Sequence, residues 1–492
     1  MPEVPEAGIL SPMTLDLSSL NPPQLDAVMA TEGPLLVIAG AGTGKTKTLT
    51  YRIAHIIDQG LAKPWEILAI TFTNKAAGEM RERLIRLAGD AGNEVWCSTF
   101  HSMCVKFLRR DADRLGYKKN FTIYDDGDSK RLMRRVLKDL GIDEKEVNPK
   151  AALSIISKAK NSLTDIETAL GSGGSSDSGG DFGEGIIRVA EAYQSSLKAS
   201  NAMDFDDLLV AAWTLLSQHA DVREHYQRKF RYLSTDEFQD TNIAQLELVK
   251  LLSGRYRNVM VVGDDAQSIY GWRQADIRNI LEFERHWPEA VTIKLEQNYR
   301  STGHIVEATN SLIGHNETGR KKKLFTIASK GDRIAGILVE NDRDEAWAVA
   351  REIGRLRGEG YGLGDFAVFY RTHAQSRPIE DAFLKSGTPY KIVGGTRYFD
   401  RAEVRDVTAY LKALVNPADA VSLRRIVNVP KRGVGDASME KLESWGRGQG
   451  LVLWDALREA AWGRSPLPAR AANAVGSFVA TMESLQSLDG DV

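Results

Sequence analysis

The chain has very little cysteine and no long apolar run. Only Cys97 and Cys104 occur among its 492 residues, which excludes a disulfide framework and a structural zinc site. No apolar stretch approaches the roughly 18 residues that a membrane span needs, and the N-terminus lacks the basic-then-apolar pattern of a signal peptide. We therefore expect a cytoplasmic protein without a membrane partner.

An excess of one charge is also absent. The chain has 64 Lys and Arg against 66 Asp and Glu, for a formal net charge of -2. This argues against a uniformly basic surface, but a groove for nucleic acid needs only local positive charge. The length predicts roughly three or four domains, and the 42% hydrophobic and 26% charged content is typical of globular proteins.

The most informative stretch runs from Leu35 to Thr50. An apolar run typical of a buried parallel strand leads into small residues that end at Gly44-Lys45-Thr46, and a helix is expected from about Lys47. Backbone N–H groups of such a loop face phosphate oxygens, the lysine reaches the β- and γ-phosphates, and the threonine hydroxyl holds Mg²⁺. A glycine-rich turn that serves only packing is the alternative.

Acidic residues follow a second apolar strand, predicted from Phe230 to Ser234. Asp236 is expected to position Mg²⁺ through water, and Glu237 to polarise the attacking water as general base. The alternative is that these paired acids at a loop tip are ordinary solvent-exposed residues without a catalytic role. A further strand, Val259 to Gly263, leads to Gln267, which can sense the γ-phosphate, and then to two aromatic residues and an arginine suited to stacking on bases.

The order of the patterns predicts an α/β fold with a doubly wound parallel sheet. Its strands and helices alternate up to about residue 101, helical patterns occupy about residues 102–203, and the sheet then resumes. Within the helical part, Gly171 to Gly185 is expected to be a flexible loop. A second sheet is expected from three further strands, Ile334 to Val339, Phe366 to Tyr370 and Tyr390 to Val393.

Taken in order, the motifs resemble those of the UvrD, PcrA and Rep group of superfamily-1 DNA helicases. The stretches that carry the resemblance are NPPQLDA, AGAGTGKT, TFTNKAAGEM, STFHS, MDFDDLL, DEFQD, VGDDAQSIYGWR, QNYRS, YRTHAQSR and the GVG turn. The resemblance implies two RecA-like P-loop domains, each with an inserted helical subdomain. It divides the chain into domain 1A (1–102 and 204–294), insertion 1B (103–203), the first part of domain 2A (295–397) and an incomplete insertion 2B (398–492).

The resemblance also assigns roles by position. Gln24 is expected to contact the adenine edge, Tyr299 to stack on the adenine face, and Arg300 to act as an arginine finger. The residues expected to contact ATP are Gln24, Ala39, Gly40, Ala41, Gly42, Thr43, Gly44, Lys45, Thr46, Lys47, Tyr299 and Arg300. Those expected to contact DNA are Phe72, Asn74, His101, Tyr270, Trp272, Arg273, Gly433 and Gly435.

The activity implied is ATP- and Mg²⁺-dependent 3′ to 5′ movement along single-stranded DNA, with unwinding at single-strand/duplex junctions in repair or replication. Self-association or a repair-protein partner is also implied.

The sequence departs from the family pattern in two respects. Lys47 occupies a position where the family usually has arginine, and an ammonium stacks on adenine less well than a planar guanidinium. The family's later Thr-x-His-x-x-Lys-Gly and Thr-Arg motifs have no match after Arg397. Either the chain is a nucleotide- and DNA-binding fragment with little motor activity, or it is the front part of a longer helicase. A nucleotide kinase or GTPase shares the P-loop but has no use for Trp272 or Arg300.

Overall fold

In the computed structural model of the chain, the described residues are 15–171, 181–393 and 401–487. The middle of the predicted loop from Gly171 to Gly185 and the predicted boundary at 397/398 lie outside them. The described ends of that loop are helical, so the prediction is wrong there. The helix that begins at residue 181 continues through Ile186 and Val189, which are buried. Burial of this apolar face stabilises the helix, including its first residues.

The described residues form eight strands, six of them in one sheet. Their bounds are β1 (Leu35–Ala39), β2 (Ile67–Thr71), β3 (Trp96–Thr99), β4 (Thr122–Ile123), β5 (Ala202–Met203), β6 (Tyr232–Thr235), β7 (Val259–Gly263) and β8 (Val291–Leu295). The six-stranded sheet has the order β3-β2-β6-β7-β1-β8, and every neighbouring pair is parallel. Strands β4 and β5 pair separately, also in parallel.

Helices lie between these strands and in the described segments that follow β8. Their bounds are α1 (Pro22–Met29), α2 (Lys45–Asp58), α3 (Asn74–Ala88), α4 (Asp90–Glu94), α5 (Phe100–Asp111), α6 (Asp126–Asp139), α7 (Pro149–Ser162), α8 (Ile166–Gly171), α9 (Asp181–Ala199), α10 (Phe205–Gln218), α11 (Ala220–Lys229), α12 (Ile243–Ser253), α13 (Arg278–Leu281), α14 (Phe283–His286), α15 (Gly303–Ile313), α16 (Asp342–Gly358), α17 (Ser376–Lys385), α18 (Ala402–Val415), α19 (Ala420–Ile426), α20 (Asp436–Gly448), α21 (Leu453–Ala461) and α22 (Ala469–Ser487).

The large sheet is covered by helices on both faces. Along β1, Leu36 and Ile38 pack with residues of α5, α10 and α12, whereas Leu35 and Val37 pack on the opposite face with residues of α2 and α3. Alternate residues of a strand point to opposite faces, so a strand buried on both faces is apolar throughout. The predicted doubly wound α/β architecture is confirmed.

Two helical parts have cores of their own. Helices α6, α7 and α9 pack around Tyr124, Met133 and Tyr193. In sequence they lie between α5 and β5. Helices α18 to α22 pack around residues such as Leu442, Leu457 and Phe478. Among the residues that the structure describes, no helix is both long enough and apolar enough to cross a membrane.

The described chain divides into two compact units, and the smaller one is Asp332–Thr408. Its core lies between α16 and α17, where Ala350, Ile353 and Phe383 are buried. The three strands predicted here are wrong, because residues 334–339, 366–370 and 390–393 have irregular backbone. A strand requires a hydrogen-bonded neighbour, and within the described part of this unit none pairs with another. Their apolar side chains remain largely exposed, Leu338 at 99% and Phe369 at 92%.

Candidate functional site

The loop between β1 and α2 is tightly packed at Gly42. Gly42 has φ +72, and a Cβ there would lie 2.7 Å from Cβ of Arg300 and 2.7 Å from Nδ2 of Asn298. Only glycine fits such a position. Gly44 precedes α2 without a side-chain cap, so the N–H groups of the first helical turn keep no intrahelical partner and form an anion site.

The first two residues of α2 contact the two acids that follow β6. Lys45 Nζ donates to Glu237 Oε2 at 2.8 Å, and Thr46 Oγ1 donates to Asp236 Oδ2 at 3.0 Å. Strand β6 carries these acids to the same edge of the sheet as the loop after β1, because the carboxyl ends of parallel strands share an edge. The structure therefore brings together four residues that the sequence analysis selected.

The acids of this site have unusual protonation behaviour. Burial, with repulsion from Glu237, raises the pKa of Asp236 to about 6, against the opposing effect of Lys45. Burial and the same repulsion raise the pKa of Asp240 to about 6. A hydroxyl and a carboxylate in contact are hard oxygen ligands of the kind Mg²⁺ prefers, and a divalent cation would stabilise the ionised carboxylate and so lower its pKa again. Thr46 and Asp236 therefore fit a magnesium ion.

Gln24 lies beside the loop rather than on a solvated surface. Helix α1 begins after Asn21, whose side chain accepts from the N–H of Gln24 at 2.9 Å, and Gln24 Oε1 accepts from the N–H of Asn21 in return. This capping box orients Gln24 so that its Nε2 donates to the carbonyl of Thr43 at 2.9 Å. Lys47 instead donates to the carbonyl of Ser19 at 2.7 Å.

The turn after β8 closes over the same loop. Tyr299 donates its N–H to the carbonyl of Gly42 at 2.9 Å, and Asn298 Nδ2 donates to the carbonyl of Ala41 at 2.6 Å. Asn298 Oδ1 accepts from the N–H groups of Arg300 and Ser301, both at 2.8 Å. The Tyr299 and Arg300 side chains are exposed, and they are held beside the loop by a buried asparagine.

A chain of hydrogen bonds leads from Glu237 to Gln267. Gln239 Nε2 donates to Glu237 Oε2 at 2.9 Å, and Gln239 Oε1 accepts from the N–H of Asp264 at 3.0 Å. Asp264 Oδ2 then accepts from Gln267 Nε2 at 2.6 Å. Gln267 thus reaches the P-loop lysine through Asp264, Gln239 and Glu237.

Tyr270, Trp272 and Arg273 come shortly after Gln267 in the chain, and together with Phe72, which follows β2, we define them as the aromatic strip. The rings of Phe72 and Tyr270 stack with centroids 4.9 Å apart, and the Arg273 guanidinium lies 4.7 Å from the Trp272 ring centroid. Trp272 is 64% exposed. Two half-buried stacked rings beside an exposed tryptophan and a cation form an arrangement suited to unpaired bases.

The other predicted DNA contacts are more dispersed. Burial, with a smaller contribution from Arg273, lowers the pKa of His101 to about 4, so its ring is neutral at neutral pH. Asn74 is exposed at the start of α3, and its Oδ1 accepts from the hydroxyl of Ser102 at 3.3 Å.

The turn at Gly433 and Gly435 is closed by an asparagine side chain. Asn428 Oδ1 accepts from the N–H groups of Arg432, Gly433 and Val434 at 2.8, 3.1 and 3.3 Å. The N–H of Gly433 is therefore already donated to an asparagine side chain, and contact of Gly433 with DNA stays a prediction. Gly435 immediately precedes α20.

Several residues of the site were missed in the sequence analysis. Gln239 and Asn298 lie inside recognised motifs, but in those motifs only the charged and aromatic side chains indicate a role by their type. Asn21 is signalled by its place three residues before Gln24. Lys322, which contacts Asp264 at 2.7 Å, stands in a run of basic residues and has no distinguishing signal.

Comparison with known proteins decides the family. A model described as the UvrD/REP helicase N-terminal domain matches residues 20–288, and one described as the UvrD-like helicase C-terminal domain matches residues 293–463. The chain belongs to the UvrD/Rep helicase family. The resemblance drawn from the motifs is thereby confirmed.

Two relatives of this UvrD/Rep chain carry the name ATP-dependent DNA helicase PcrA, one from Staphylococcus epidermidis and one from Staphylococcus aureus. Each is 47% identical to it over 444 residues, which is 90% of this chain and 60% of the relative. The chain thus spans about three-fifths of the length of the curated relatives it matches.

Proposed function

We propose that the chain holds the ATP site and the single-stranded DNA track of an ATP-dependent 3′ to 5′ DNA helicase or translocase. The observation that carries this is the hydrogen-bonded path from Lys45 through Glu237, Gln239 and Asp264 to Gln267, which stands three residues before Tyr270 of the aromatic strip. A kinase or GTPase needs no such path. The relatives' printed name supports the same activity.

In the proposed nucleotide site, the loop after β1 and the N-terminus of α2 bind the phosphates. Lys45 and Arg300 balance the charge on the γ-phosphate, Gln24 and Tyr299 orient the adenine, and Glu237 accepts a proton from the attacking water. Thr46 and Asp236 hold Mg²⁺, which supplies further charge neutralisation when bound. Gln267 senses the γ-phosphate.

In the proposed DNA site, bases stack on Phe72, Tyr270 and Trp272 while Arg273 contacts the backbone. His101 and Asn74 lie on neighbouring elements and extend the track. Stacking is indifferent to sequence, as movement along any strand requires. We place the activity in the cytoplasm, at single-strand/duplex junctions during repair or replication.

A binding module without motor activity is the second candidate. It is favoured by the irregular backbone of residues 334–339, 366–370 and 390–393, since a motor of this family needs a second RecA-like sheet to close on ATP. Such a module would bind ATP and single-stranded DNA but hydrolyse ATP slowly with or without DNA.

Steady-state ATP hydrolysis with and without poly-dT distinguishes the two candidates. A motor is expected to be stimulated about tenfold or more by the strand, and Glu237→Gln should abolish that turnover while retaining ATP binding. Glu94→Gln, at an exposed position of α4, is the matched control. Binding of both ligands without stimulation would select the binding module, and binding of neither would reject the proposed function.

A further inference from the structure

A second buried charge cluster lies beside the candidate site, at the end of β7. Lys322 Nζ contacts Asp264 Oδ1 at 2.7 Å and also contacts Asp265 Oδ1, and the three side chains are 7%, 4% and 5% exposed. In the part of the chain that the structure describes, no other ammonium or guanidinium forms an ion pair with either carboxylate. One lysine therefore compensates two adjacent buried acids, which is a costly arrangement unless the geometry is maintained.

The segment that carries Lys322 is fixed to the same acids. Gly319 has φ +138, and a Cβ there would lie 2.6 Å from Asp265 Oδ2. Arg320 donates its N–H to Asp265 Oδ2 at 2.8 Å, while its guanidinium donates to Glu284 Oε1 at 2.7 Å. The backbone is thus anchored before Lys322 enters the buried cluster.

The cluster is connected to Gln267 by a shared carboxylate. Asp264 receives Lys322 on Oδ1 and Gln267 Nε2, at 2.6 Å, on Oδ2. Without the lysine, Asp264 and Asp265 would repel each other without compensation. The carboxylate that orients Gln267 would then rotate or take up a proton, and the hydrogen bond to Gln267 would weaken.

We propose that Lys322 is a positioning residue that holds Gln267 in the orientation through which nucleotide binding changes the affinity for DNA. The inference rests on the proposed function, because Gln267 senses nucleotide only if nucleotide binds at Lys45. The ion pairs of Lys322 within the described chain go to Asp264 and Asp265 and not to the P-loop or the aromatic strip, so its loss should disturb the coupling between the two sites rather than either site alone.

The test measures the dissociation constant of a fluorescent dT oligonucleotide with and without a non-hydrolysable ATP analogue. In the unaltered chain we expect the analogue to change this constant about fivefold or more. In Lys322→Met the ratio should approach one, while the separate affinities for analogue and oligonucleotide change by no more than about twofold. Lys321→Met, at an exposed neighbouring lysine, should retain the ratio of the unaltered chain.

A double variant separates positioning from general structural support. Lys322→Met with Asp265→Asn removes the repulsion but keeps Asp264 for Gln267, so the ratio should recover. Loss of both affinities in Lys322→Met, with no recovery in the double variant, would overturn the inference, as would an unchanged ratio in Lys322→Met. Should Lys322→Met fail to fold, the double variant decides by the same ratio.

The unaltered chain distinguishes failure of the inference from failure of the proposed function. If it binds both ligands with a ratio of one, there is no coupling for Lys322 to support, and the inference is wrong while both sites stand. If it binds neither ligand, the proposed function fails and the inference fails with it.

Discussion

Asp236 is buried at the end of β6 in a position that favours its protonated form. Its folded-state pKa of about 6 lies above the ordinary carboxyl value of 3.8. The folded protein therefore binds the proton more tightly than the unfolded chain does. This group lowers stability above about pH 6, and the penalty disappears as the pH falls below about 4. Burial of the ionised carboxylate is thus at the expense of stability.

Asp236→Asn should raise the free energy of unfolding at about pH 7, by roughly 1–3 kcal/mol, because the amide carries no charge to bury. The amide oxygen can still accept from Thr46. Urea unfolding at about pH 7 and about pH 5 measures the effect, and the gain should be smaller at the lower pH. An equal gain at both values would show that ionisation of Asp236 is not its cause. ATP hydrolysis should be lost in the same variant.

Gly42→Ala should destabilise the protein more than Gly33→Ala. Both glycines have positive φ, +72 and +76, but a Cβ at Gly33 meets nothing within 4 Å, whereas one at Gly42 meets Asn298 and Arg300. We expect about 1–2 kcal/mol of backbone strain in each and a further ~1–3 kcal/mol of overpacking at Gly42. Urea unfolding compares the two variants. Equal losses would mean that the turn after β8 moves away freely.

At the scale of elements, the parallel sheet could be predicted because its strands are apolar on both faces. Strands β1, β2 and β7 are buried throughout, and such runs stand out in the sequence. Strand β8 is the exception in this sheet, since its own residues are mostly exposed. Charged residues that follow these strands, such as Asp236 and Glu237, could be assigned to one site because parallel strands share an edge.

Other parts of the site depend on contacts that a sequence does not display. Asn298 is buried because a turn some 250 residues after the P-loop returns to it, and Lys322 because its segment is fixed to Asp265. The residues predicted as strands in the smaller unit have the right apolar pattern but lack a hydrogen-bonded neighbour. Local pattern specifies which residues suit a strand, and pairing decides whether they form one.

The aromatic strip makes a prediction about DNA affinity. Trp272→Ala should weaken binding of a dT oligonucleotide by about 1–3 kcal/mol, because one stacking surface is lost. ATP affinity without DNA should be unchanged. Fluorescence anisotropy measures both. Trp65→Ala is the matched control, since Trp65 is 53% exposed but lies outside the strip. Equal weakening by both variants would reject the strip as the DNA track.

At the scale of the whole molecule, the part of the chain from β4 to α9 contacts helices α18 and α19 and the turn between them through polar groups. Tyr124 donates to Asp419 at 2.7 Å, and Asn416 Nδ2 donates to Thr122 Oγ1 at 2.9 Å. Lys412 contacts Asp128 at 2.8 Å. These partners are nearly three hundred residues apart, so their hydrogen bonds fix long-range geometry that apolar packing alone would leave less defined.

An ion-pair cluster around Glu443 belongs to the same contact and leads to a prediction about stability. Glu443 is 5% exposed and accepts from Arg135 at 3.0 Å and from Arg424 at 2.6 Å. Glu443→Ala would leave two guanidinium groups facing each other without their shared acid. We expect a loss of about 2–4 kcal/mol in the free energy of unfolding, measured in urea.

A double-mutant cycle of Arg135→Ala and Glu443→Ala should give a coupling energy of about 1–3 kcal/mol, because the contact between the two side chains is lost in either single variant, while Arg424 keeps its own contact with Glu443 when Arg135 is absent. The exposed pair Arg355 and Glu352, with side chains 54% and 45% exposed, is the control and should couple by less than about 0.5 kcal/mol. If the two cycles agree, water screens the Glu443 pair as fully as a surface pair. The contact between the two helical parts would then depend on Tyr124 and Asn416 instead.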